Sequence, residues 1–62
     1  MRKHGYYQYI VFEDPTNEWI YEIYTLDEKP RLVVESDEWF DSEAQAGFAA
    51  VGHISLLENG EG

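Results

Sequence analysis

The feature that most constrains this chain is a change in the spacing of its apolar residues. Residues 32–34 form an aliphatic and β-branched run typical of a strand, whereas from Ala44 onward the apolar positions recur at intervals of three and four. Between them, Ser42 is followed three residues later by Gln45, which fits a capping box, and Asp41 is the other candidate N-cap. The sequence therefore predicts a strand, a short connection over residues 36–41, called the joint below, and then a helix that begins at Ser42, give or take about two residues.

Three segments ahead of this helix have the composition of β-strands. Residues 6–12 and 19–25 are rich in aromatic and β-branched types, and residues 31–35 contain the aliphatic run. The connecting segments, 13–18 and 26–30, contain proline and aspartate, which favour turns. Because both connections are short, consecutive strands are expected to pair in antiparallel. The predicted fold is α+β: a three-stranded antiparallel meander followed by one C-terminal helix packed on one sheet face, in the order βββα.

Length and composition predict a single small folded domain over residues 1–62. Hydrophobic residues make up 44% of the chain and aromatic residues 16%, too much for a disordered chain even at a net charge of −9. The two ends, about residues 1–5 and 58–62, are expected to be flexible. The chain has no cysteine and no apolar run of about 20 residues, so we expect no disulfide, no membrane span and a cytoplasmic location.

The predicted helix spans residues 42–57, and Asn59-Gly60 is a typical helix stop. At about 100° per residue, a group of mostly small apolar residues falls on one broad side. The members of this side are Ala44, Gly47, Phe48, Ala50, Val51, Ile54 and Leu57. We expect this side to face the sheet and Leu56 to lie on the opposite side of the helix.

One helix covers only one face of a meander, so the other face is expected to be at least partly exposed. Successive side chains of a strand point to opposite faces, and the set that meets the helix depends on a strand register that this sequence leaves open. Under either register the uncovered face is rich in tyrosine, or in tyrosine with tryptophan. The residues predicted to form an interaction surface are Tyr7, Tyr9, Trp19, Tyr21 and Tyr24. The alternative is a partly solvated sheet face in a monomer.

The balance of thirteen acidic residues against four basic ones excludes several functions. Nucleic-acid affinity needs cations that replace the counterions of phosphate, and anionic membranes repel a chain of this charge, so we expect neither as a direct partner. An acidic cluster lies at the joint and comprises Glu35, Asp37, Glu38, Asp41 and Glu43. The cluster lacks the loop length and central glycine of a calcium-binding EF-hand, which favours a solvated acidic surface.

Motifs for catalysis are nearly absent from the sequence. His4 and His53 have no second histidine or cysteine at ligand spacing, and no serine lies in a nucleophile-elbow context. His53 lies near the predicted end of the helix, where an interaction with the last carbonyl groups would explain it. We therefore predict a non-enzyme with no catalytic residue, no metal and no cofactor.

The joint and the strands before it also resemble a known family. The residues that carry the resemblance are Ser36 at the strand end, the aromatic Phe40, the cap Ser42, the helix residues Ala44 and Ala46, and Trp19 and Tyr21 in the middle strand. This pattern is similar to the strand-strand-strand-helix repeat of the YegP-like family of small bacterial proteins, over residues 9–54. The chain departs from it at 27–30, where the family has an Asn-Gly turn, and at Glu43, where the family has lysine. The family often has two tandem repeats and has no established activity. The resemblance therefore implies the fold, and a dimer of two single repeats.

Two hypotheses of function follow, from different classes. The first is a small acidic interaction module whose partner is a protein, most simply a second copy in a homodimer formed through the uncovered aromatic sheet face or a strand edge. The second is a phage-type inhibitor whose carboxylates mimic DNA phosphates and occupy the basic site of a nucleic-acid-binding enzyme. Carboxylates concentrated on one face would favour the inhibitor. An even spread of carboxylates would indicate that the acidity only keeps the chain soluble.

Overall fold

The computed structural model describes residues 1–60, which form four β-strands and one C-terminal α-helix. The elements are β1 (Arg2–His4), β2 (Tyr7–Glu13), β3 (Trp19–Thr25), β4 (Leu32–Glu35) and α1 (Glu43–Glu58). The strands pair in antiparallel in the order β1-β2-β3-β4, and α1 packs on the central strands β2 and β3. The predicted α+β class is confirmed, but the sheet has four strands rather than three. Of the predicted flexible C-terminal end, Glu58 is instead the last residue of α1, Asn59 and Gly60 end the helix, and residues 61 and 62 lie outside the described residues.

Strand β1 corrects the prediction that residues 1–5 form a flexible end. It pairs with β2 through a loop of two residues, Gly5 and Tyr6. Gly5 has φ 59°, as a type II′ hairpin turn requires at its first position. A Cβ at this position would also overlap the carboxylate of Glu58, which accepts the backbone N–H of Tyr6 at 2.6 Å. The β1–β2 turn is therefore tied to the last residue of α1.

Asp14 holds the connection between β2 and β3. Its Oδ1 accepts the backbone N–H groups of Thr16 and Glu18 at 2.9 and 3.1 Å, and its Oδ2 accepts the indole N–H of Trp39 at 2.8 Å. The Thr16 hydroxyl also donates to Asp14 Oδ1, at 2.7 Å. This bond first, together with the others, holds the pKa of the Asp14 carboxyl below its usual value. The predicted turn is thus present, and Asp14 also joins it to the segment that precedes α1.

Both β4 and the joint pair with β3. The register of β3 with β4 shifts by one residue between Ile23 and Tyr24, which leaves Val33 as an extra residue of β4 at a β-bulge. After β4, Trp19 and Phe40 form an isolated antiparallel bridge with N···O distances of 2.8 and 2.9 Å. This bridge fixes the joint to the sheet just before the helix begins.

Local capping signals determine where α1 begins and ends. Ser42 is the N-cap, and its hydroxyl oxygen accepts the backbone N–H of Gln45 at 3.2 Å. The Gln45 side chain accepts the backbone N–H of Asp41 at 3.1 Å, one residue earlier than in a standard capping box. Asn59 is the C-cap, and Gly60 follows with φ 78°, the left-handed conformation common after a helix. The predicted start and stop of the helix are both confirmed.

The core lies between α1 and the side of the sheet that faces it. Its buried hydrophobic residues are Tyr9, Tyr21, Ile23, Ala46, Ala50 and Ile54. Gly47 is buried as well, and a Cβ there would lie 3.9 Å from Cγ2 of Val11. The helix backbone therefore approaches β2 closely, as the small residues on its surface predict.

The predicted inner side of α1 is confirmed for five residues and wrong for Phe48 and Ala44; the five are Gly47, Ala50, Val51, Ile54 and Leu57. Phe48 is 85% exposed and Ala44 is also exposed, whereas Ala46, which the predicted face omits, is fully buried. The physical reason is that residues 44–57 contain no Asp, Glu, Lys or Arg, so apolar residues occur on every side of the helix and do not define one buried stripe. Leu56 is 46% exposed, in agreement with its predicted place on the outer side.

Candidate interaction surfaces

The register of the central strands decides where the predicted aromatic surface lies. In the pairing of β2 with β3, Tyr9 stands opposite Ile23, and Val11 stands opposite Tyr21. Residues that stand opposite each other share a sheet face, and these four pack together with α1 in the core. Tyr9 and Tyr21 are only 7% and 6% exposed. They stabilise the monomer and do not offer a surface to a partner.

The other predicted aromatic residues divide between the two faces. Tyr7 packs against the core, and Trp19 alternates with Tyr21 on the same side of β3, where it is half-buried. Only Tyr24 lies on the face turned away from α1. The prediction of a tyrosine-rich uncovered face is therefore wrong, because the realised register directs most of the tyrosines toward the helix.

The sheet face opposite α1, called the open face below, mixes apolar and acidic side chains. Its members are Gln8, Ile10, Phe12, Ile20, Glu22, Tyr24, Leu32 and Glu35. Ile10 is 38% exposed, and Phe12 and Ile20 are half-buried. The apolar part of this face is thus aliphatic and phenylalanine-based, and acidic residues lie directly beside it.

Two carboxylates stand opposite each other on the open face. Glu22 of β3 pairs with Glu35 of β4, and Glu22 also accepts the hydroxyl hydrogen of Tyr24 at 2.7 Å. This hydrogen bond holds the pKa of the Tyr24 phenol above its usual value, and partial burial and the nearby carboxylates add to the shift. Like charges directly opposite each other in a sheet are destabilising, so we expect this pair to lower the stability of the fold.

The outer side of α1 forms a second exposed surface, called the outer stripe below. It consists of Ala44, Phe48, Gly52 and Leu56, which are four residues apart and all exposed. Residues at this spacing lie along one side of a helix. A Cβ at Gly52 would meet nothing within 4 Å, so the stripe has an open position next to its largest side chain.

A shallow apolar groove runs beside the outer stripe. It has a volume of about 480 Å³ and is lined by Phe40, Ala44, Gln45, Phe48 and Ala49. The sequence interpretation missed this surface because it placed Phe48 in the core. The signal that indicates it is the absence of Asp, Glu, Lys and Arg across residues 44–57 in a chain with thirteen acidic residues.

His53 contacts the sheet and not the end of the helix. Its Nδ1 lies 2.8 Å from the hydroxyl oxygen of Tyr21, and the two rings meet edge to face with centroids 5.9 Å apart. Phe40 stacks with Tyr21, at 6.0 Å between ring centroids. Burial, with the charges of Asp37 and Glu38, raises the pKa of Tyr21. The pairing with Tyr21 corrects the prediction that His53 interacts with the last helix carbonyls.

The members of the acidic cluster do not converge on one point. Glu35 lies on the open face, whereas Glu43 lies in the first turn of α1 and accepts a hydrogen bond from Arg2 at 3.1 Å. Asp37, Glu38 and Asp41 are exposed in the joint. Over residues 1–60, no group of three or more metal-ligating side chains could hold a metal ion.

In the described part of the chain, α1 does not reach the length and hydropathy of a membrane-spanning segment. Comparisons with protein-family models, with curated proteins and with solved structures found no match. The resemblance to the YegP-like family therefore stays a prediction.

Proposed function

We propose that this protein is a small acidic, non-catalytic interaction module that associates with a second copy of itself. The observation that supports this most is that both outer layers of the fold present large apolar side chains to solvent. Phe48 on α1 is 85% exposed and Ile10 on the open face is 38% exposed. Apolar surface removed from water contributes about 25 cal/mol per Å², so covering these side chains would stabilise a chain of only 7.3 kDa.

The two sheet edges are less suited to self-association than the faces. β1 has only three residues and includes Arg2 and Lys3, and β4 contains a bulge. Short, charged or bulged edge strands hinder the addition of a strand from another chain. Of the two routes predicted from the sequence, a face or an edge, these features favour a face.

The term that opposes self-association is charge repulsion, which makes the proposal testable. Each chain carries −9, and salt shortens the range of repulsion between exposed charges. The mass should be measured by sedimentation at about 100 μM protein, between about 10 mM and 1 M NaCl, over which the Debye length falls from about 30 to about 3 Å. We expect the mean mass to rise with salt above 7.3 kDa. A mass that stays at the monomer value throughout would contradict the proposal.

The alternative of a DNA-mimicking inhibitor receives no specific support from the arrangement of the carboxylates. Asp14 lies in the β2–β3 connection, Asp27 and Glu28 lie in the β3–β4 connection, and Glu43 and Glu58 lie at opposite ends of α1. An inhibitor of this type would bind a basic enzyme with an affinity that falls steeply as salt is raised. The salt dependence of the two proposals therefore has opposite signs.

A further inference from the structure

We propose that self-association occurs through the outer stripe of α1, with the helices of two copies packed antiparallel about a two-fold axis. This inference rests on the proposed function and names the surface that performs it. The partner is a second copy of this chain. Three observations support this choice: the order of large and small residues along the stripe, the distribution of charge, and the exposure of Phe48.

The stripe is complementary to itself when it is reversed. An antiparallel helix pair centred on residue 50 places Phe48 of one copy opposite Gly52 of the other, and Ala44 opposite Leu56. Each large side chain then meets a small one, and both kinds of contact occur twice because the interface is two-fold symmetric. Gly52 has no neighbour within 4 Å of a Cβ, so the space that would receive Phe48 is open in the monomer.

The distribution of charge separates the outer stripe from the open face. Residues 44–57 include no Asp, Glu, Lys or Arg, so the stripe itself brings no carboxylate into the contact, and the exposed carboxylates Asp37, Glu38 and Asp41 belong to the joint. Two open faces would instead enclose Glu22 and Glu35 from both copies. Removing carboxylates from water without cationic partners is strongly unfavourable.

The stripe exposes one large side chain that can anchor a small interface. A specific interface at the lower end of the usual range buries about 600 Å² on each partner, which is roughly a seventh of the 4397 Å² surface of one chain. A buried aromatic side chain supplies about 150–250 Å², and Phe48 is almost fully available for burial. The groove beside it adds Phe40 and Ala49. Phe48 alone supplies less than half of that area, so we expect a weak dimer, with a dissociation constant in roughly the micromolar range.

The first test compares two variants that change the net charge equally. Phe48→Lys places a cation in the centre of the outer stripe, and Ile10→Lys places one on the open face, opposite Glu22. Masses of the full 62-residue chain should be measured by sedimentation from about 1 μM to about 500 μM, with thermal melts to show that each variant is folded. We expect Phe48→Lys to weaken the dimer about tenfold or more and Ile10→Lys to change it by less than about threefold.

Each outcome of this comparison has a distinct meaning. A wild-type chain that is monomeric at every concentration would overturn the proposed function together with the inference. A dimer that survives Phe48→Lys, or one that is lost in Ile10→Lys, would overturn the inference and leave self-association standing.

The second test addresses the register of the two helices. Phe48→Ala removes the large side chain, and Gly52→Leu fills the position opposite it, so each single change should weaken the dimer. In the double variant, the new leucine of one copy would stand opposite the new alanine of the other, which restores one large and one small residue at each contact. We expect the double variant to dimerise at least about fivefold more tightly than it would if the free-energy losses of the two single variants simply added. Losses that combine without coupling would overturn the antiparallel register.

Discussion

The outer stripe of α1 and the open face of the sheet are both exposed, but they differ in charge. The helix carries no Asp, Glu, Lys or Arg between its two terminal glutamates, whereas the open face contains Glu22 and Glu35 beside Ile10 and Phe12. The carboxylates on the open face are compatible with water, and Glu22 in addition accepts the Tyr24 hydroxyl. Exposed apolar side chains favour self-association, but the distribution of charge is needed to decide which of the two faces forms the contact.

Two faces of similar exposure can thus suit different partners. A face without charge can meet its own copy because no ionised group has to lose its hydration. A face with opposed carboxylates either remains in water or requires a partner that supplies cations. In this fold the outer stripe of α1 is the face without charge, and the open face of the sheet is the one with opposed carboxylates.

The largest expected effect contrasts the inner and outer sides of α1. Ile54 is fully buried and Phe48 is 85% exposed. Ile54→Ala should lower the free energy of unfolding by about 2–5 kcal/mol, because it removes buried atoms and leaves a cavity. Phe48→Ala should change it by less than about 0.5 kcal/mol when measured at a protein concentration low enough to keep the chain monomeric. Similar losses in chemical denaturation of both variants would show that α1 is oriented differently about its axis.

Features that depend on neighbouring residues were predictable from the sequence. The N-cap Ser42, the stop at Asn59-Gly60 and strand β3 are all set by local chemistry: a hydroxyl that accepts a backbone N–H, a residue that accepts positive φ, and β-branched side chains. The α+β class followed from the order of these elements.

Features that depend on contacts between distant segments were not predictable. The register of β2 with β3 determines whether Tyr9 is buried, and a shift of one residue would exchange the two faces. Most of the buried side of α1 was predicted, but Phe48 was misplaced because the helix carries apolar residues on every side. Strand β1 was missed because its three residues, two of them basic, have no strand-like composition. They form a strand because they pair with β2.

A smaller effect probes the carboxylate pair of the open face. Glu35→Gln should raise the free energy of unfolding by about 0.2–1 kcal/mol, because it removes a like charge directly opposite Glu22. The matched control is Glu28→Gln, which makes the same charge change in the exposed β3–β4 connection. The gain from Glu35→Gln should shrink as salt is added, since both side chains are within reach of solvent. If both variants gain the same free energy of unfolding, the effect comes from net charge. The carboxylate pair would then not distinguish the open face from the outer stripe.

The smallest effect appears in the titration of the tyrosines and compares the two sides of the sheet through Tyr21 and Tyr24. Both phenols have a raised pKa, Tyr21 chiefly because of burial and Tyr24 chiefly because of its hydrogen bond to Glu22. A pKa that is higher in the folded state contributes stability that is complete below the unfolded value of about 10 and is lost as the pH rises through the folded value. In an absorbance titration of the native protein, Tyr21→Phe and Tyr24→Phe should each remove one late-ionising phenol. Glu22→Gln should bring Tyr24 back toward the ordinary pKa and leave Tyr21 unchanged, because Tyr21 lies on the helix-facing side. If Glu22→Gln leaves both late phenols in place, the carboxylate does not control the open face, and its electrostatic contrast with the outer stripe fails.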